Sequence, residues 1–241
     1  MPLEFQIFKN YHELRYGLSE KSGGSMKLTG ELQKDEAIIK NRETYFSKEN
    51  ISKERIVSAG LVHKNKVKIV NENHAGQKIQ DTDGLITSAT NLFLTLTVAD
   101  CFPIYFYEPF SRVIGLAHAG WKSIVKGIIS NIIRTMVKNC GAKADKILVG
   151  IGPGIQSCHF EIQKDVLENF KKYPFSIIKK EGGIFIDLSE IIFQQLKKSG
   201  LLLNHIEKSE ECTHCLKEKY FSYRRDKPKT LEAMIAYIGL V

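Results

Sequence analysis

The chain has 241 residues, 43% of them hydrophobic, which is enough to bury a sizeable core as one large domain or two small ones. No run approaches the roughly 20 apolar residues of a membrane span, the opening MPLEFQIFKN lacks the basic-then-apolar pattern of a secretion signal, and five scattered cysteines do not make a disulfide framework. The formal charge is +8, but only seven of the 35 basic residues are Arg and the lysines are dispersed, which argues against nucleic acid and for a solvated surface in a reducing cytoplasm.

No internal repeat, low-complexity tract or linker divides the sequence, so one domain over residues 1–241 is expected. SGG at 22–24 reads as a loop, and the polar stretch 35–49 as a helix ending near Asn50. From Ile56 onward, strand-forming runs alternate with turns: RIVSAG, VKIVN, GLITS, NLFLTLTV, PIYFYE and RVIGLAH. NLFLTLTV is almost continuously apolar or Thr, as expected of a strand covered on both faces. Residues 122–138 follow as the clearest helix, with Ile124, Val125, Ile128, Ile129, Ile132, Ile133, Met136 and Val137 on one face and a break at Gly141. KILVGIG is a buried strand ended by the turn Gly152-Pro153-Gly154. Further helices are expected at 165–172 and 188–198, and further strands at GIFIDL and EAMIAYIG. The pattern predicts an α/β or α+β layered single domain with a mixed β-sheet flanked by helices.

The densest runs of reactive residues are T-V-A-D-C-F-P at 97–103 and G-L-A-H-A-G-W at 115–121. In each, an apolar strand-forming run ends in a polar cluster beside turn residues, the position where layered α/β proteins place ligand sites. A third such end is L-V-H at 61–63. His63, Cys101 and His118 would offer two imidazole nitrogens and one sulfur, a set that zinc or copper prefers over magnesium or calcium. Three protein ligands would leave a fourth position open, as a catalytic ion requires. Read singly, each is equally a buried or satisfied side chain, because their wide separations match no local metal motif. Cys101 and His118 also fit a thiolate nucleophile with its base.

Other signals are weaker. H-F-E at 159–161 with C-T-H-C at 212–215 superficially resembles the zinc deaminase signature, but the proline before the first cysteine is missing and no helix start accompanies H-F-E. Nothing around Cys212 and Cys215 has the form of a redox βαβ unit, and they read as structural thiols near a loop. G-I-G-P-G-I at 150–155 is neither dinucleotide fingerprint nor phosphate loop, and Pro153 removes a donor from any cradle. Arg224 and Arg225 could bind an anion or form a strand-edge charge cluster. Asp100 could accept a proton or cap a turn, and Trp121 could stack on a base or pack in the core.

The same residues resemble a known family, the YfiH-type or laccase-domain proteins, formerly termed polyphenol oxidases and now regarded as purine nucleoside phosphorylases. The matching motifs are Ala99-Asp100-Cys101-Phe102-Pro103, His118-Ala119-Gly120-Trp121, Leu61-Val62-His63-Lys64 and Thr82-Asp83-Gly84-Leu85-Ile86-Thr87. Gly150 to Ile155, Phe221-Ser222-Tyr223-Arg224-Arg225, the stretch from Gly17 to Gly24 and the pair Asn41-Arg42 add to them. The resemblance implies zinc held by His63, Cys101 and His118, with copper the other metal to consider. It implies purine nucleosides and phosphate as substrates: phosphorolysis of adenosine, inosine, guanosine and methylthioadenosine, with adenosine deamination as a second activity. Lys21, Asn41, Arg42 and Arg225 are the implied substrate-binding residues. Leu61 stands where the family has Gln, Lys21 where it has Arg, and Thr230-Leu231-Glu232 where it has T-G-R.

Three rival functions are a copper polyphenol oxidase, a metal-free Cys-His hydrolase and a non-catalytic lysine-rich binding protein. The first needs several His-rich copper centres, and this chain has seven His in all.

Overall fold

The longest strands are apolar on both faces, and each face meets a different layer. In the computed structural model, which describes residues 3–180 and 182–241, the strands run in chain order as follows. They are β1 (Leu14–Leu18), β2 (Ile56–Ala59), β3 (Val67–Ile69), β4 (Lys78–Ile79), β5 (Gly84–Thr87), β6 (Phe93–Val98) and β7 (Phe102–Glu108). The remainder are β8 (Val113–Ala119), β9 (Leu148–Ile151), β10 (Glu161–Ile162), β11 (Ile177–Lys180), β12 (Gly183–Ile186), β13 (Ile206–Lys208) and β14 (Met234–Leu240). The helices are α1 (Leu32–Lys48), α2 (Trp121–Val125), α3 (Ile128–Cys140), α4 (Lys164–Leu167), α5 (Leu188–Lys198) and α6 (Tyr223–Asp226).

The mixed-sheet pattern divides over three sheets. One has the order β1-β14-β6-β2-β4, a second β13-β9-β7-β8-β5-β3, and a small third β10-β12-β11. The two large sheets each combine parallel and antiparallel pairs. Consecutive strands β6 and β7 belong to different sheets, and the turn that carries the chain between them holds Asp100 in a left-handed conformation, φ 81°.

Period-two alternation then sorts the side chains into three cores. Leu94, Leu96 and Val98 of β6 pack between the sheets with Leu85, Tyr105, Tyr107, Ile114 and Leu116. The opposite face of that first sheet carries Phe93, Ile235 and Tyr237, covered by Phe46 of α1. On the far side of the six-stranded sheet, Phe102, Ile104 and Phe106 meet the apolar faces of α2, α3 and α5. The chain is therefore an α+β fold in which two sheets are stacked and helices close both outer faces.

Helix α1 forms where the polar stretch predicts it, and α5 matches its expected span. The expected helix over 122–138 is instead two, because Gly127 adopts a φ of 81°. Its N–H bonds to the Ile124 carbonyl and closes α2, while its own carbonyl accepts from Asn131 and opens α3. The apolar pairing runs through this glycine unchanged, so periodicity alone hides the break. Gly141 ends α3 in the left-handed conformation, as expected. Among the described residues, no helix is long and apolar enough to cross a membrane.

Ile132 of α3 is fully buried against the six-stranded sheet, whereas Val137 lies at the edge of the buried stripe with 38% exposure. Ile132→Ala is expected to cost about 2–5 kcal/mol in urea unfolding, and Val137→Ala less than about 1 kcal/mol. Equal costs would contradict the placement of α3.

Candidate metal centre

His63, Cys101 and His118 come from three different elements. His63 lies in the loop after β2, Cys101 in the turn joining β6 to β7, and His118 near the end of β8. Antiparallel pairing of β7 with β8 sets Phe102 opposite Ala119 and Pro103 opposite His118, which delivers the histidine to the cysteine. His118 shares its strand face with Ile114 and Leu116, so it points into the gap between the sheets where Cys101 also packs. One ligand atom from each of the three lies within 4.8 Å of the others, and the two imidazoles meet edge to face at 4.8 Å and 85°.

Asp83 organises this meeting. It precedes β5, the other neighbour of β8, and is completely buried. Its Oδ1 accepts from the His63 backbone N–H at 2.9 Å and lies 3.0 Å from His118 Nδ1; its Oδ2 accepts from the Lys64 N–H at 2.8 Å. The Asp83 carbonyl takes the His118 backbone N–H at 2.8 Å. One residue thus fixes both histidines: its carboxylate holds the His63 backbone and the His118 ring, and its carbonyl holds the His118 backbone. With Nδ1 committed, Nε2 of His118 is the nitrogen left for an ion, the carboxylate–histidine arrangement that orients metal ligands. Asp83 also steadies His63 in a left-handed conformation, φ 54°, that a non-glycine residue adopts at a cost of order 1 kcal/mol.

Electrostatics reinforce the geometry. Burial pushes the Cys101 thiol up, but the charge of His118 and hydrogen bonds from His118 and His63 outweigh it and bring it down to about 7. Burial pulls His118 down, yet the Cys101 charge and the Asp83 hydrogen bond raise it to about 9. Asp83 is pushed up by burial and held below the ordinary carboxylate range by His118 and the two N–H donors. The thiolate form, the one that binds metal, is therefore well populated near neutral pH. Gly120 completes the enclosure: a Cβ there would lie 2.8 Å from Cys101 Sγ and 3.2 Å from His63 Cδ2, so a side chain would crowd the ligands.

The remaining motif residues surround this centre through loops. Both Asp100 oxygens are engaged, Oδ1 by the Thr213 hydroxyl at 2.7 Å and Oδ2 by the Arg224 N–H at 2.7 Å. Asp100 thereby ties the Cys101 turn to the loop before α6. Asn41 donates to the Ser25 carbonyl, and Arg42 to the Met26 carbonyl and the Ser58 hydroxyl, so the N-R pair and the glycine-rich segment after Lys21 meet. Lys21 reaches the Lys217 carbonyl and sits over the Phe221 ring. Arg225 donates to the carbonyls of Thr213, His214 and Tyr220 and pairs with Asp226. Trp121 packs on Phe170 at 6.0 Å in the helix-side core.

A cleft of about 610 Å³ opens between α1 and the five-stranded sheet. Lys27, Arg42 and Lys78 stand on its wall with Ser58, Thr95 and Thr97, and Phe46 and Ile235 supply apolar surface. Burial and the charges of Lys78 and Arg42 push Lys27 below its ordinary range, the mark of converging cations. The three candidate ligand residues do not line this cleft; β6 connects the two, running from Thr95 and Thr97 into the Cys101 turn.

Asp83 had no assigned role in the sequence, although it stands in the Thr82-Asp83-Gly84 motif. Asp83→Ala is expected to weaken zinc binding by roughly 10–100-fold in a competition titration against a chromophoric chelator, because His118 loses its orienting partner. Wild-type affinity would contradict the role given to the carboxylate.

A family model described as multi-copper polyphenol oxidoreductase laccase matches residues 12–240. Purine nucleoside phosphorylase YlmD of Bacillus subtilis is 31% identical over 255 residues, covering 98% of this chain and 91% of that protein. Its counterpart from Geobacillus stearothermophilus is 30% identical, covering 92% and 89%. Among solved structures, the hypothetical protein YfiH of Bacillus licheniformis superimposes with a TM-score of 0.89 at 28% identity, covering 97% of this chain and 95% of that one. YlmD from Geobacillus stearothermophilus gives 0.89 at 29% identity, covering 98% and 94%. The chain belongs to the multi-copper polyphenol oxidoreductase laccase family, the YfiH-type group that its motifs resemble.

Proposed function

We propose that this chain is a zinc-dependent purine nucleoside phosphorylase, acting on adenosine, inosine, guanosine and methylthioadenosine, with adenosine deamination as a second activity. The observation that carries the reading is the convergence of two imidazoles and one low-pKa thiol on a point backed by Asp83. Full-length relatives named purine nucleoside phosphorylase supply the substrate class. The donor set fits zinc: one sulfur and two nitrogens, three ligands in all, leave the open position of a catalytic ion. Copper has the same ligand preferences, but a multicopper oxidase needs His-rich clusters. Among the described residues, the groups that could hold an ion are this one and a cysteine-rich one.

When bound, zinc would supply Lewis-acid polarisation of a substrate oxygen. The rest falls to the chain. In phosphorolysis the C1′–N9 bond breaks, the electron pair leaves with the purine, and a phosphate oxygen bonds C1′. Arg42, with Lys21 on the neighbouring segment, provides the positive charge that holds phosphate at the wall formed by the segment after Lys21. Asn41 holds the Ser25 carbonyl and so shapes that wall. Arg225, with its guanidinium on three loop carbonyls, contributes by holding the loop that grips Asp100. Five free thiols suit a reducing cytoplasm as the place of action.

The shared charge of Cys101 and His118 also favours a second reading, a metal-free thiol hydrolase. Incubation of each nucleoside with and without phosphate, followed by chromatography, separates the two. The expected result is phosphate-dependent release of free purine. Cys101→Ala should lose the zinc held by His63 and His118 and that release together, by more than the roughly 10–100-fold that removing an outer partner costs. Release without phosphate, or an active Cys101→Ala protein, would overturn the proposal.

A further inference from the structure

A second group of side chains, outside the centre described above, has the composition and spacing of a closed metal site. Cys158 and His159 lie in the loop that follows the Gly152-Pro153-Gly154 turn; Cys212 and Cys215 lie in the loop between β13 and α6. Far apart in sequence, the two loops are held together by a parallel bridge between Gly154 and Cys212 and by the Thr213 N–H on the Gly154 carbonyl at 3.1 Å. The Gln156 side chain also donates to the carbonyls of Ser209 and Glu211.

The distances discriminate between the possible uses of these thiols. Cys158 Sγ and Cys215 Sγ are 3.7 Å apart, and His159 Nδ1 lies 3.2 Å from Cys158 Sγ, 3.3 Å from Cys215 Sγ and 4.0 Å from Cys212 Sγ. All four ligand atoms fall within 4.8 Å of one another. A tetrahedron with zinc–sulfur bonds of about 2.3 Å and zinc–nitrogen bonds of about 2.0 Å has edges of about 3.8 Å between sulfurs and about 3.6 Å between nitrogen and sulfur. The Cys158–Cys215 separation of 3.7 Å matches the sulfur edge and the nitrogen–sulfur distances of 3.2–4.0 Å bracket theirs, whereas a disulfide would require sulfurs about 2.05 Å apart.

Two further features fit ligation. The backbone N–H groups of Gln156, His214 and Cys215 all point at Cys212 Sγ. Amides aimed at a sulfur in this way stabilise a thiolate, the form a metal needs. The His159 ring is fixed by face-to-face stacking on His214, at 3.8 Å and 16°, while its carbonyl is held by Arg224. Arg224 also donates to the Glu161 carbonyl at 2.7 Å, fixing the chain on both sides of Phe160.

We propose that Cys158, His159, Cys212 and Cys215 form a second, structural metal site that takes a tetrahedral soft divalent cation, zinc foremost. Four protein ligands leave no open position, in contrast to the three at His63, Cys101 and His118. Binding exchanges three thiol protons for the ion. The site staples the loop after β9 to the loop whose Thr213 and Arg224 hold Asp100, the residue next to Cys101. Cys158, Cys215 and the partly buried His159 reach the surface, which gives the ion an entry path.

The test uses the full chain, stripped with chelator under reducing conditions and reloaded with zinc or cobalt(II). Metal is counted in wild type, Cys101→Ala and the Cys158→Ser/Cys215→Ser double variant. If both sites bind, wild type holds two equivalents and each variant one. Cobalt-loaded Cys101→Ala retains tetrahedral visible bands and thiolate-to-cobalt charge transfer. If the Cys101 site binds nothing, wild type and Cys101→Ala each hold one equivalent that the double variant lacks, a result that supports this site and removes the other. Wild-type stoichiometry of one that vanishes in Cys101→Ala, or a Cys158–Cys215 disulfide found by mass spectrometry in the metal-loaded reduced protein, would overturn the proposal.

Discussion

The buried carboxylate of Asp83 carries a charge in an apolar interior, and that charge is tolerable only because N–H groups and an imidazole surround it. Those donors belong to the candidate metal centre and the loop that carries it: the backbone of Val62, His63 and Lys64, and the ring of His118. Satisfying the carboxylate therefore builds the centre. If His118 turned its Nδ1 away, the carboxylate would lose its cationic neighbour; if the loop at His63 relaxed from its left-handed turn, those amides would leave it. The ligand geometry is held by an energetic requirement of the core and does not depend on an ion to create it.

The layers explain why these particular residues can meet. Stacking two sheets puts the end of β6 beside the ends of β7 and β8, and the crossing turn between β6 and β7 is where Cys101 sits. Asp100 secures that turn from the opposite side through Thr213 and Arg224, so the cysteine is positioned between two carboxylates that serve as anchors. Arg225 then fixes the loop that carries Thr213. The cationic cleft beneath α1 is lined by Thr95 and Thr97 of β6, the strand that leads into the Cys101 turn.

Much of this was legible from residue order. The runs NLFLTLTV, PIYFYE and RVIGLAH are continuous enough to declare β6, β7 and β8, and the reactive residues at their ends are conspicuous against apolar neighbours. What pattern reading missed depends on contacts distant in sequence. Asp83 looks like an ordinary turn acid until β5 and β8 pair and bury it beside His118. The break at Gly127 is invisible to periodicity because the apolar pairs keep their spacing across it. Cys158 drew no attention beside the C-T-H-C motif, since only the bridge between Gly154 and Cys212 brings the two loops together. The crossing from one sheet to the other passes through a left-handed residue, Asp100, which composition does not reveal.

Anomalous diffraction from zinc-loaded crystals, recorded on both sides of the zinc absorption edge, tests the central claim most directly. The account predicts a peak about 2.0–2.3 Å from His118 Nε2, a nitrogen of His63 and Cys101 Sγ, with His118 Nδ1 still on Asp83. Zinc-loaded crystals with no anomalous density between these three side chains, or with the imidazoles turned apart, would contradict it.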